Sequence, residues 1–168
     1  MFCLYRLLII LLFCGFFSLS AEAVEIKTSP NTNRIVEGII SFAHWPRLQG
    51  LPVLCLSPNT RYYDRANTDN TIYSVKNITD FHSINLDGCN AIYFGQEPLE
   101  QQNQVISSLS GKNILTISES NSECVAGAAF CLKEKKYGFR FLVNLDSLTT
   151  SGVRVNSDVL MLSKDGVE

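Results

Sequence analysis

Residues 88–98 read Gly88-Cys89-Asn90-Ala91-Ile92-Tyr93-Phe94-Gly95-Gln96-Glu97-Pro98; the chain continues through Val105, Ile106 and Leu109 to Gly111, then Ile114-Leu115-Thr116-Ile117. Asn90 to Phe94 is a short apolar run begun by Gly88-Cys89 and stopped at Gly95, the length of a buried strand. Pro98 suits the opening of a helix, because the N–H it lacks would have no intrahelical partner there. Val105, Ile106 and Leu109 recur at helical spacing, and Gly111 supplies a stop. Ile114 to Ile117 is the next strand. Strand, helix and strand in succession are the alternation from which an α/β sheet is built.

The flanks extend this pattern. Upstream, Asn33 or Thr32 caps a predicted helix carrying Ile35, Ile39, Ile40 and Phe42, which Trp45-Pro46 should end. Leu51 to Leu56 reads as a buried strand. Asn59 to Asn67 reads as a short helix, and Thr71 to Ile78 alternates like a strand. Downstream, Ala128 to Lys133 and Phe139 to Val143 form an antiparallel hairpin around the charged tip Glu134 to Gly138. Leu145 to Thr150 and Ser157 to Leu162 are two short helices. The expected fold is therefore α/β: a single domain, a mixed β-sheet with helices on both faces, and a C-terminal β-hairpin with short helices.

The N-terminus carries an address rather than part of this fold. Met1 to Arg6 has one basic side chain, Leu7 to Phe17 is an apolar run of eleven residues, and Ala21-Glu22-Ala23 is an A-x-A cleavage site. That is the layout of a secretory signal. The run is short of the about 20 residues needed to span a bilayer. Phe13 is too bulky to precede a lipidated Cys14. Residues 1–23 are thus expected to be a signal peptide cleaved after Ala23, residues 24–33 a flexible leader, and residues 34–168 the domain. The expected compartment is the periplasm.

Composition narrows the function classes. The formal net charge is −2, and removing Arg6 and Glu22 with the signal leaves it unchanged. A near-neutral chain lacks the basic face of a nucleic-acid binder. Cys3 and Cys14 depart with the signal, leaving Cys55, Cys89, Cys124 and Cys131. An even number in an oxidising compartment points to two disulfides, and three pairings are possible. No C-x-x-C pair is present, so a structural zinc site is not expected. Asn77-Ile78-Thr79 matches a glycosylation acceptor by chance.

Catalytic signatures are missing. There is no G-x-S-x-G elbow, no H-E-x-x-H and no dinucleotide fingerprint. Gly111-Lys112 resembles the end of a phosphate loop, but Ile106 stands where its first glycine belongs. His44 lies beside Trp45 near a helix end, where packing or capping is the ordinary role, and His82 lies in a polar loop. A Cys89–His82 pair would need a thiolate, which a disulfide denies it. Glu119, Glu123 and Asp146 show no pairing in the sequence. No enzymatic activity, metal or cofactor is expected.

Several segments, in order, resemble the YfiR family. They are Gly38-Ile39-Ile40-Ser41-Phe42 with Trp45-Pro46, Leu54-Cys55-Leu56, Gly88-Cys89-Asn90 with Tyr93-Phe94-Gly95, and Glu123-Cys124 with Gly127-Ala128-Ala129-Phe130-Cys131-Leu132. Val143-Asn144-Leu145-Asp146, Ser151-Gly152-Val153-Arg154-Val155 and Val159-Leu160-Met161-Leu162 complete the match over residues 38 to 162. The resemblance implies a non-catalytic periplasmic regulator that forms homodimers. Such proteins bind the periplasmic part of a YfiN-like membrane diguanylate cyclase and hold it off. A YfiB-like outer-membrane lipoprotein relieves the block by sequestration, so envelope or redox stress raises cyclic di-GMP and favours biofilm. The family's partner surface lies near its second cysteine pair and C-terminal segment, which implies Phe130, Leu142 and Leu148 here. Leu142 departs from the pattern, since an acidic residue can stand there in relatives, and any salt bridge made by it would be lost.

The expected pairing is Cys55–Cys89 and Cys124–Cys131. Cys124 and Cys131 bracket Gly127, where a tight turn brings their Cα atoms within about 7 Å. Cys55 and Cys89 flank or enter strands that can lie side by side. The alternative to a partner-binding repressor is a small-molecule sensor or enzyme acting at the strand ends of a Rossmann-like sheet. A polar pocket with convergent ionisable groups would favour the latter, and an exposed apolar patch the former.

Overall fold

The computed structural model describes residues 30–66, 71–82, 86–136 and 138–159. The expected signal peptide and its cleavage site lie outside these residues, as does the second half of the last predicted helix, of which residues 157–159 are seen as helical.

Among the described residues the elements with full bounds are, in chain order, α1 (Pro30–Ser41), β1 (Ala43–His44), β2 (Val53–Leu56), β3 (Ser74–Asn77), β4 (Ala91–Phe94), α2 (Leu99–Ser108), β5 (Leu115–Ser118), β6 (Phe130–Lys135), β7 (Gly138–Val143), α3 (Leu145–Ser151) and β8 (Arg154–Val155). The main sheet has six strands in the order β3-β2-β4-β5-β6-β7. Every pairing is parallel except β6 with β7, which form the expected antiparallel hairpin. β1 and β8 make a separate antiparallel ribbon, with Ala43 opposite Val155 and His44 opposite Arg154. Trp45, next in the chain, is buried and donates its indole N–H to the carbonyl of Asn90 at 2.9 Å.

The period of two along the strands sorts the core into two sides. Leu54, Leu56, Ala91, Tyr93, Leu115, Ile117, Phe130 and Leu132 face one side, where Val36, Ile39 and Ile40 of α1 cover them. Cys55, Ile92 and Phe94 face the other, against Val105 of α2 and Leu109, which caps that helix. Helices on both faces are thus the direct result of strands apolar on both faces. α1 begins at Pro30, so residues 30–33 belong to a helix rather than to a leader. Proline is well suited to a first helical turn. Thr32 is fully buried rather than placed at the cap.

The predicted helix over Asn59 to Asn67 does not form. Its described residues are turns and bends. Their main-chain groups are claimed from a distance instead: Arg61 and Tyr62 donate to the Glu119 carboxylate at 2.6 and 3.0 Å, and Asp64 donates to Asn33 Oδ1 at 2.9 Å. The Asn59 carbonyl accepts from Gln96 N–H at 3.0 Å, so this segment lies directly on the end of β4. Gly95 permits that approach, since a Cβ there would meet the Asn59 carbonyl oxygen at 2.2 Å.

Candidate partner-binding site

The chain from β5 to β6 crosses between two parallel strands without a helix. It is held by its own polar side chains and by a disulfide. Cys124 and Cys131 are bridged, with Cα atoms 5.6 Å apart, and Cys55 and Cys89 are bridged at 5.7 Å. Asn121 is buried and shapes the loop from inside. Its Oδ1 accepts from Cys124 N–H at 3.1 Å, and its Nδ2 donates to the Ala126 carbonyl at 2.6 Å. Gly127 adopts φ +91°, a backbone conformation that favours glycine. Ala129 N–H then donates to Thr116 Oγ1 at 3.0 Å as the chain enters β6.

This loop is tied to the start of α3. Asn144 caps that helix by accepting from Ser147 N–H at 3.0 Å, and it also donates Nδ2–H to the Cys124 carbonyl at 3.2 Å. The residues following these two partners, Val125 and Leu145, are 83% and 58% exposed. These two exposed aliphatic side chains, each one residue beyond an end of the Asn144–Cys124 hydrogen bond, are a candidate rim for a partner contact. Beside it lies a cleft of about 310 Å³ whose walls include Ile106, Ala126, Gly127, Asp146 and Ser147. Lys133 and Glu123 pair at 3.1 Å nearby, and the ammonium holds the exposed Glu123 carboxyl below the usual carboxylate range.

The three side chains expected at a partner surface part company. Leu142 stands opposite Cys131 in the hairpin and packs, half-buried, against the Cys124–Cys131 bridge. Phe130 is fully buried on the α1 side, its ring 5.8 Å from that of Phe141. Its expected place on a surface is therefore corrected: adjacent strand residues point to opposite faces, so nearness to Cys131 in sequence turns Phe130 into the core. Leu148 is half-buried against the same core. Val125 and Leu145 were not singled out by sequence, because a lone valine in a loop and the first residue of a short helix carry no periodic signal.

The polar groups named in sequence have structural settings. His44 is exposed in β1, and His82 is exposed with Nδ1 3.0 Å from Asp80. Glu119 is buried, and besides the two main-chain donors it accepts from Tyr93 Oη at 2.7 Å and Gln96 Nε2 at 2.9 Å. Burial, with the Glu119 charge second, pushes the Tyr93 phenol well above its ordinary value. A carboxylate with four donors and a phenol kept protonated fasten the 59–66 segment to the sheet. No metal-ligating cluster occurs among the described residues, and no helix among them is long and apolar enough to cross a membrane.

A mixed six-stranded sheet, covered by helices on both faces and carrying two disulfides, defines a single α/β domain. The YfiR/HmsC-like family pattern matches residues 31–164, nearly the whole described fold, and the chain belongs to that family. The family is regulatory rather than catalytic and acts in periplasmic control of diguanylate cyclase signalling. Two disulfides fit that compartment.

Proposed function

We propose that this protein is a periplasmic repressor that binds the periplasmic domain of an inner-membrane, YfiN-like diguanylate cyclase and holds down cyclic di-GMP synthesis. It is exported by the signal at residues 1–23, cleaved after Ala23, and works as a homodimer. Envelope or redox stress releases it, with a YfiB-like outer-membrane lipoprotein as the competing partner. The observation that carries this reading is the family match over residues 31–164. The contact surface is the rim of Val125 and Leu145, with Leu142 packed on the bridge and Leu148 half-buried against the main core. The adjacent cleft receives a partner side chain.

Deleting the gene in a strain that expresses its cyclase should raise cellular cyclic di-GMP and surface attachment. The purified protein should retain the cyclase's periplasmic domain in a pull-down. Unchanged dinucleotide levels together with no retained cyclase would overturn the reading.

A further inference from the structure

The sheet order contains a switch point. From β2 the chain moves outward to β3 and then returns across β2 to β4, and it leaves the ends of β2 and β4 toward opposite faces. In open α/β sheets such a divergence beyond the carboxyl ends of the strands is where ligands bind. On the α1 side the 59–66 segment fills the divergence, fastened by Glu119. On the α2 side a cleft of about 420 Å³ remains, lined by residues after β2 (Pro58, Asn59), after β3 (Asp80, Phe81) and before and within α2 (Glu97, Gln101).

Glu97 is the informative residue. It is 2% exposed; Oε1 accepts a long 3.3 Å hydrogen bond from Asn59 N–H, and Oε2 has no hydrogen-bond partner among the described residues. A buried acceptor in this state calls for a donor, and a carboxylate calls for a charged one. Asp80 stands at the rim, where its carboxylate is already engaged by His82, another lining residue, at 3.0 Å, and no lysine or arginine is among the described lining residues. Phe81, braced at 5.4 Å by Phe94, offers an aromatic wall for a cation or its alkyl chain. Gln101 and Gln104 supply amide acceptors from one side of α2.

We propose that this cleft is a binding site for a small organic cation bearing a primary ammonium, held by Glu97 against Phe81, with Asp80 and His82 at the rim. The site is separate from the partner rim and does not depend on the repressor reading.

The probe is putrescine, titrated calorimetrically into the protein purified with both bridges intact; butanediol and succinate are the uncharged and anionic counterparts. Side-chain amide signals of Gln101 and Gln104 are followed by NMR. Putrescine should bind saturably and shift both amides, while the other two compounds should not. Glu97→Gln should weaken binding about tenfold or more. Because Glu97 also touches Asn59, Gln101→Lys serves as a second variant: it leaves the core untouched, places a cation at the mouth and should weaken putrescine to a similar extent. Asp146→Asn, in the other cleft, should bind as the parent does. Absence of saturable binding, binding of succinate in preference, or folded Gln101→Lys protein with undiminished affinity would overturn the proposal.

Discussion

The side chain of Asn144, the N-cap of α3, reaches to the carbonyl of Cys124 over 3.2 Å, while its own Oδ1 holds Ser147 N–H. One residue therefore couples the disulfide loop to the helix start, and Val125 and Leu145 inherit their relative placement from it. Losing Asn144→Ala removes a cap and a loop tether together. Stability should fall by about 1–2 kcal/mol, measured by urea unfolding, and cyclase-domain binding should weaken more than that figure alone accounts for. Equal binding by the folded variant would separate the rim from the partner surface.

Val125→Asp and Leu145→Asp test the rim without touching the core. Both side chains are more exposed than buried, so stability should change by less than about 0.5 kcal/mol. Binding to the cyclase's periplasmic domain should drop about tenfold or more for each. Phe130→Ala should behave in the opposite way. It removes a fully buried ring and should cost about 3–5 kcal/mol, with binding preserved in whatever fraction remains folded.

The bridges can be ranked. Loop-closure entropy assigns about 2.5 kcal/mol to Cys124–Cys131 and about 3.8 kcal/mol to Cys55–Cys89, as upper, model-dependent figures. The shorter bridge contributes less to stability but adjoins the rim. Cys124→Ser with Cys131→Ser should thus keep most of the fold and lose affinity for the cyclase domain, whereas Cys55→Ser with Cys89→Ser should chiefly lower the melting temperature. Calorimetric titration and thermal unfolding of both pairs separate these effects. Unchanged affinity in folded Cys124→Ser/Cys131→Ser protein would end the proposed link between redox state and repression.

Three buried phenols set the alkaline limit. Burial raises Tyr63 and Tyr73, which share a 2.9 Å hydrogen bond, and raises Tyr93 as well, all from an ordinary value near 10. Each has a folded value above its unfolded one, so its contribution is fully present below about pH 10. It is lost as pH climbs from there toward the folded values, because only the unfolded chain releases the proton. Stability should decline by up to about 1.4 kcal/mol per pH unit for each phenol. Tyr73→Phe should flatten the decline, and phenolate absorbance should appear together with loss of circular dichroism rather than before it.

Glu119→Ala should be more damaging than an average buried substitution. Arg61 N, Tyr62 N, Tyr93 Oη and Gln96 Nε2 would all lose their acceptor. A loss of about 3 kcal/mol or more is expected, with proteolytic nicking appearing first in the 59–66 segment. Glu119→Gln, which retains one acceptor oxygen, should fall between.

That network also explains which parts of the fold were legible in the sequence. β4, α2 and β5 announce themselves because their apolar periods and glycine or proline borders are local, and the order strand–helix–strand follows. The Asn59 to Asn67 stretch misleads because its main chain is satisfied by Glu119 and Asn33, residues far away in sequence. Phe130 misleads for a geometric reason: proximity to Cys131 says where it is along the strand, while alternation decides which side it faces. The rim was illegible because exposure of Val125 follows from Asn121 and Gly127 bending the loop, and no pattern of hydrophobicity encodes that.

The ribbon of β1 and β8 joins the first and last described strands, so the domain is fastened like a belt whose buckle is made from both ends. A chain that emerges N-terminus first cannot close this buckle until almost all of it is available. Ala43 and His44 must wait for Arg154 and Val155, whereas Trp45, next to them, needs only Asn90. Partial chains that end before Arg154 therefore lack the ribbon, and closing it is a late, non-local event in folding.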